Sequence, residues 1–300
     1  MKRISIGSWA YSIGPYENNP VPWEEVLNNL KEMNFDGVEL GGFPPHPNPD
    51  DLTSKEQRQA VVEKMNQMGM SFSGLAANLW GEQLLNTADN TAYLNAFRKN
   101  LDFCVDLGIP GIRVDSVQPP TIFDEVDYDT ALQRAVTTWK RCADEAADKG
   151  VYVTWEFEPG FAFNKPSDIF RVLDGVNHDN FGVMFDTCHA NMVAKYGSRH
   201  PEPKEILPGG ALELLDRLKG KINHIHLIDS DGTLHDDETS THAPFGDGEL
   251  DFDEMIPVLN ECGVKHDWWT IDLCFWPDAW EVTRRCKQAV DELNRKYGEG

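Results

Sequence analysis

The chain has 300 residues, of which 40% are hydrophobic and 26% charged. That composition argues against disorder, and a chain this long buries roughly three-quarters of its unfolded surface without disulfide or metal support. Fifty acidic residues against 27 basic ones give a net charge of −23, which opposes nucleic acid and anionic membrane surfaces, because both are held by Lys and Arg meeting phosphate.

Short apolar runs bounded by turn residues predict buried strands at 4–9, 37–42, 71–79, 111–117, 152–159, 181–189, 222–229 and 268–275. Between and after them, helical patterns cover 23–33, 54–68, 90–107, 128–149, 166–176, 210–218, 251–262 and 278–297. Pro22 suits a first helical turn, and Gly69, Gly108, Gly150 and Gly263 each stand where a left-handed cap ends a helix. Residues 196–208 read as a long loop, a candidate lid or partner contact. Eight strands alternating with eight helices predict an α/β fold, a single (β/α)8 TIM barrel over residues 1–300. A doubly wound sheet is the alternative, but neither G-x-G-x-x-G nor G-x-x-x-x-G-K-[ST] is present.

No run of about 18 apolar residues suggests a membrane span. The opening MKRISIGSWAYS lacks the apolar core of a secretory leader. Cys104, Cys142, Cys188, Cys262, Cys274 and Cys286 form no C-x-x-C pair and mostly sit in apolar patterns. These features predict reduced core thiols and a cytoplasmic location.

Barrel chemistry collects at the C-terminal strand ends, and those ends carry polar residues that a structural strand would not choose. In WEFEPG, Glu156 and Glu158 share a face, with Glu158 nearer the mouth. In FDTCHA, Asp186 and His189 stand where the chain turns. In INHIHLIDSDG, His224 and His226 share a face, while Asp229 has the opposite parity and suits a turn cap. In WWTIDLCFWP, Asp272 is the lone charge in an apolar run, costly unless partnered. Glu158, Asp186, His226 and Asp272 thus make a mixed oxygen and nitrogen set suited to one divalent ion: Mn²⁺ foremost, or Mg²⁺, Co²⁺ or Zn²⁺. A buried ion-pair network around Arg113 is the structural alternative. Arg113 itself either holds a substrate oxygen or neutralises a carboxylate. Trp9, Tyr11, Trp80, Phe161, Phe163, Phe275 and Trp276 cluster near the mouth, either as a wall for a sugar or as packing.

Several of these segments resemble the sugar isomerase/epimerase superfamily of xylose isomerase-like barrels, the apurinic endonuclease family 2 fold. FDTCHA is similar to the DTCH segment of the metal-dependent apurinic endonucleases, and HIHLIDS to their strand-seven HLxDS. HAPFGDGELDF resembles the loop that leads into an Asp-Phe helix start, and the EP of WEFEPG the strand-five glutamate of sugar isomerases. SIGSWAYS and NFDGVELGG extend the likeness through strands one and two. The resemblance implies that Glu158, Asp186, His226 and Asp272 bind one divalent metal, and that His189 and His242 contact substrate or a second metal. Two departures stand out. The epimerases usually carry a strand-eight glutamate, where this chain has the shorter Asp272. The repair enzymes draw zinc-binding histidines from strands three and four, which here read SFSGLAANLW and GIRVDSV.

The expected function is metal-dependent isomerisation or epimerisation of a keto-sugar or sugar derivative through a metal-stabilised enediolate. Glu158, His189 and Asp272 are the candidate catalytic groups, and Arg113, His242, Glu156 and Trp9 the candidate substrate contacts. The alternatives are a lyase or dehydratase of the same superfamily, such as one cleaving 3-keto C-glycosides, an apurinic endonuclease, or a non-catalytic barrel. The expected partner is a small sugar, with a homo-oligomer or a partner subunit possible and no nucleic acid or membrane.

Overall fold

The structure, a computed structural model, describes residues 1–298. Residues 299 and 300, the end of the expected domain, lie outside the described residues. In chain order the strands are β1 (Arg3–Ile6), β2 (Gly37–Gly41), β3 (Ser71–Ala76), β4 (Gly111–Val114), β5 (Tyr152–Glu156), β6 (Phe181–Asp186), β7 (Ile222–Leu227), β8 (Asp229–His235), β9 (Thr239–Ala243) and β10 (Trp268–Ile271). The helices are α1 (Trp23–Glu32), α2 (Lys55–Met68), α3 (Thr91–Leu107), α4 (Tyr128–Ala147), α5 (Pro166–Val176), α6 (Thr187–Asn191), α7 (Gly210–Arg217), α8 (Phe252–Asn260) and α9 (Ala279–Tyr297).

Eight strands pair in parallel in the order β1-β10-β7-β6-β5-β4-β3-β2, and a parallel bridge between Gly7 and Glu39 joins the two ends. This is the predicted TIM barrel. Outward side chains such as Trp155 meet the helices, with the Trp155 and Trp139 rings 5.5 Å apart. The lumen, by contrast, is strongly polar. Ser5 and Thr270 hydrogen-bond there at 2.8 Å, and Glu39, Glu156, His224, His226 and Asp272 are all buried. Among the described residues no helix is long and apolar enough to cross a membrane. All six cysteines are free thiols, five buried and Cys274 half-buried.

The helices follow their sequence signals closely. Ser54 and Gln57 form a reciprocal capping box at the start of α2, and Gly69 ends it in the left-handed region at φ 64°. The strands, however, are shorter than their apolar runs predict. Residues 8–11 form a 3-10 turn that carries Trp9 beyond β1. Glu158 lies past the end of β5, and His189 lies on α6 rather than on a strand. The runs overshoot because loops at the barrel mouth also bury apolar side chains, so burial outlasts strand pairing. The sequence pattern also misses the antiparallel β8–β9 hairpin, which begins at Asp229 just after β7. The loop beyond residue 196 is packed rather than free, since His200 Nε2 lies 2.8 Å from the Asn164 carbonyl.

Candidate active site at the barrel mouth

Register sets the site. His226 on β7 sits opposite Asp186 on β6 and opposite Thr270 on β10, two residues before Asp272. Nδ1 of His226 lies 3.2 Å from Asp272 Oδ2 and 3.3 Å from Glu156 Oε1. One donor atom from each of Glu156, His226 and Asp272 falls within 4.8 Å of the others. The strand-five carboxylate in this group is therefore Glu156. Glu158, the sequence candidate, stands beside it: its Oε2 accepts from Thr239 Oγ1 at 2.5 Å and lies 3.6 Å from His189 Nε2. On sequence Glu156 is a substrate-contact candidate; in the structure it stands with His226 and Asp272 in a group spaced to suit a metal.

Asp186 closes β6 and caps α6, its Oδ1 accepting the His189 N–H at 2.7 Å. Its Oδ2 is buried without a hydrogen bond, as is Glu156 Oε1. Asp186 also groups with Cys188 and His242 as possible ligands, and His189 groups with His242 and Asp272. His242, supplied by β9, has both ring nitrogens buried without a hydrogen bond, Nδ1 lying 3.7 Å from Asp272 Oδ1, with its ring 4.9 Å from that of His189. His189 is held by Ser240 Oγ at 2.8 Å from Nδ1.

Arg113 donates to Glu156 Oε2 at 2.6 Å and lies 3.6 Å from Asp115, so it neutralises carboxylates. Trp9 donates its indole N–H to Asp272 Oδ1 at 2.7 Å. Tyr11 and Phe163 are packing residues: Tyr11 stacks on Trp280 at 4.0 Å, and Phe163 packs on Phe123 at 5.4 Å. Trp80 is 58% exposed, edge-on to Phe161, and bonds Asp115. Phe275 stacks on His235 of the hairpin at 4.1 Å, and Trp276 donates to the His242 carbonyl. These last contacts fasten the hairpin over the mouth.

Sequence reasoning missed Glu39. It is fully buried on β2, 2.7 Å from His224 Nε2 and 3.1 Å from His226 Nε2. The available signal was an acid inside the apolar run GVELGG, the same argument that selected Asp272.

The electrostatics follow from crowding. Burial pushes Glu158 up to about 8, with Glu156 adding repulsion. Burial also raises Asp186 well above the usual carboxylate range, helped by Asp272. For Glu156 burial acts the same way, but Arg113 and His226 outweigh it and hold the group at about 2. Burial opposes charge on His226 too, yet Glu39, Asp272 and Glu156 raise it well above the ordinary histidine value. Burial and His242 bring His189 down to about 3, so its imidazole is neutral.

Asp229 performs the capping role its parity suggests. It accepts the backbone N–H groups of Ser230, Gly246, Gly248 and Leu250 at 2.8–3.1 Å. A Cβ on Gly248 would come within 2.2 Å of its Oδ1, which is why a glycine stands there. Asp229→Ala leaves these donors unpaired and is expected to cost about 3 kcal/mol, seen as a lowered Tm in calorimetry. An unchanged Tm would mean that other contacts order this loop.

The sequence profile of the xylose isomerase-like TIM barrel family matches residues 27–290. The chain belongs to this family. An inosose dehydratase of Lacticaseibacillus casei is 22% identical over 285 residues, covering 88% of this chain and 85% of that protein. A crystal structure of IOLI protein with a zinc atom superposes with TM-score 0.73 at 18% identity, covering 99% of both chains. A D-tagatose 3-epimerase-like protein superposes with TM-score 0.71 at 18% identity, again over 99% of both. The two superpositions show that the fold is shared.

Proposed function

We propose that this protein is a divalent-metal-dependent lyase that dehydrates a neutral keto-cyclitol or keto-sugar of the inosose type. The carrying observation is the grouping of Glu156, His226 and Asp272 at the mouth, with Asp186 opposite His226 in strand register and with Glu156 Oε1 and Asp186 Oδ2 buried without a hydrogen bond. Carboxylate oxygens with one imidazole fit Zn²⁺, Mn²⁺ or Co²⁺. A bound cation would polarise the substrate carbonyl and lower the cost of removing the neighbouring proton.

This chain's own groups supply the proton transfers. Neutral His189 and His242, with an open lone pair on His242, are the candidate bases for the C–H next to the carbonyl. Protonated Glu158 donates to the departing β-hydroxyl. The C–H and C–O bonds break, a C=C bond forms, water leaves, and the enol returns to a ketone. Paired groups whose environments drive their pKa values apart suit this division into acid and base. Carboxylates dominate the site, and Arg113 is already engaged by Glu156 and Asp115, which favours an uncharged substrate over a phosphorylated one.

Epimerisation is the second reading, kept open by the likeness to the tagatose epimerase-like protein. It requires proton exchange on two faces of one carbon. Here Glu158, His189 and His242 adjoin one another, and Asp272, 3.7 Å from His242 Nδ1, is already held by Trp9, His226 and Cys274, which makes it a poor second base and favours elimination.

The deciding assay incubates metal-loaded protein with neutral keto-polyols in deuterated water, followed by NMR. An unsaturated or diketo product with release of water is expected. A deuterated epimer without loss of water would make the protein an epimerase instead.

A further inference from the structure

We infer that Glu39 is a positioning residue for the metal site: it accepts the Nε2–H of His226 and so presents Nδ1 to the cation. This inference rests on the metal site proposed above. The two nitrogens of His226 face different partners. Nδ1 points to the mouth, 3.2 Å from Asp272 Oδ2 and 3.3 Å from Glu156 Oε1. Nε2 points down the barrel, 3.1 Å from Glu39 Oε2. A ligating histidine commonly gives its second N–H to a carboxylate, which sets both tautomer and ring plane.

Glu39 is itself fixed from below. The same Oε2 lies 2.7 Å from His224 Nε2, and His224 Nδ1 lies 2.8 Å from the Tyr152 hydroxyl. The consistent assignment has Tyr152 donating to His224 Nδ1, and both histidines donating Nε2–H to Glu39. The chain Tyr152–His224–Glu39–His226 therefore ties the mouth to the deep barrel. Gly74 keeps the space open, because a Cβ there would come within 3.2 Å of the Glu39 carboxyl carbon and 3.3 Å of the His224 ring. A fully buried carboxylate is costly unless it is paired and hydrogen-bonded, as Glu39 is by the two imidazoles. Here the partner that reaches the mouth is His226.

The test is Zn²⁺ affinity of the full chain, measured by competition with a chromophoric chelator, for wild type, Glu39→Gln and Glu39→Asp. Glu39→Gln can still accept from both imidazoles through one oxygen, but it removes the carboxylate charge and puts an amide NH2 where Oε1 is buried without a hydrogen bond. It is expected to weaken Zn²⁺ binding about 10- to 100-fold, with far-UV circular dichroism unchanged. Glu39→Asp keeps the charge but shortens the reach to His226. It is expected to weaken binding likewise, and it serves if the glutamine variant fails to fold. In zinc-loaded wild type, nitrogen-15 NMR is expected to show the metal on His226 Nδ1 and the proton on Nε2, a signature that a merely structural role for Glu39 would not require. Wild-type affinity in folded variants, or zinc on Nε2, overturns the assignment of Glu39 while the metal site stands. A wild type that takes up no Zn²⁺ overturns the metal site as well.

Discussion

Asp186→Asn protein, incubated with Zn²⁺ or Mn²⁺ and desalted, retains little metal, whereas wild type retains about one equivalent. Asparagine is the informative replacement because Asp186 has two separate tasks. Its Oδ1 caps α6 through the His189 N–H, and an asparagine oxygen can do the same. Its Oδ2 is buried and unpaired beside the other acids, and an amide nitrogen there cannot ligate. Loss of affinity should exceed the roughly 10- to 100-fold that an outer hydrogen-bond partner contributes. Asp186→Ala removes the cap too, for about 1 kcal/mol of stability, so the two variants separate ligation from folding. Uptake should also release protons, since burial and neighbouring acids favour protonated Asp186, and the surrounding carboxylates favour charged His226. Affinity therefore rises with pH. Full metal retention by folded Asp186→Asn would show that the cation binds elsewhere or not at all.

Glu158→Gln lowers kcat/KM for dehydration about 10²- to 10⁴-fold, the usual worth of a positioned general acid, while Zn²⁺ binding persists. The second half of that result matters most. On sequence Glu158 is a metal ligand; in the fold it faces Thr239 and His189 while Glu156 joins His226 and Asp272. If Glu158 were a ligand, metal and activity would vanish together. The pH profile has a definite sign. Burial, then Glu156, raise Glu158 from the usual carboxylate range to about 8, so a step that needs its proton slows as pH rises through that region. A cation at Glu156 favours the carboxylate form and moves this limb downward in the loaded enzyme. The limb should be absent from the residual activity of Glu158→Gln. Wild-type turnover in that variant would remove Glu158 from the mechanism.

The order of strands and helices, and the barrel they make, were determined by the sequence itself, because periods of two and of 3.6 residues and their caps are local signals. The same locality exposed Asp186, His226 and Asp272: a charge in an apolar run is costly wherever the run folds. Choosing between Glu156 and Glu158 was different. Both have the same parity, and only the end of β5 and its position beside β6 and β4 decided which one meets His226. The β8–β9 hairpin that delivers His242 follows from contacts with Phe275 and Glu158 that are distant in sequence. Glu39 lies 187 positions before His226, and nothing local links them. Their meeting inside the barrel is a product of closure, where burial removes water and each buried charge must find its partner across the lumen.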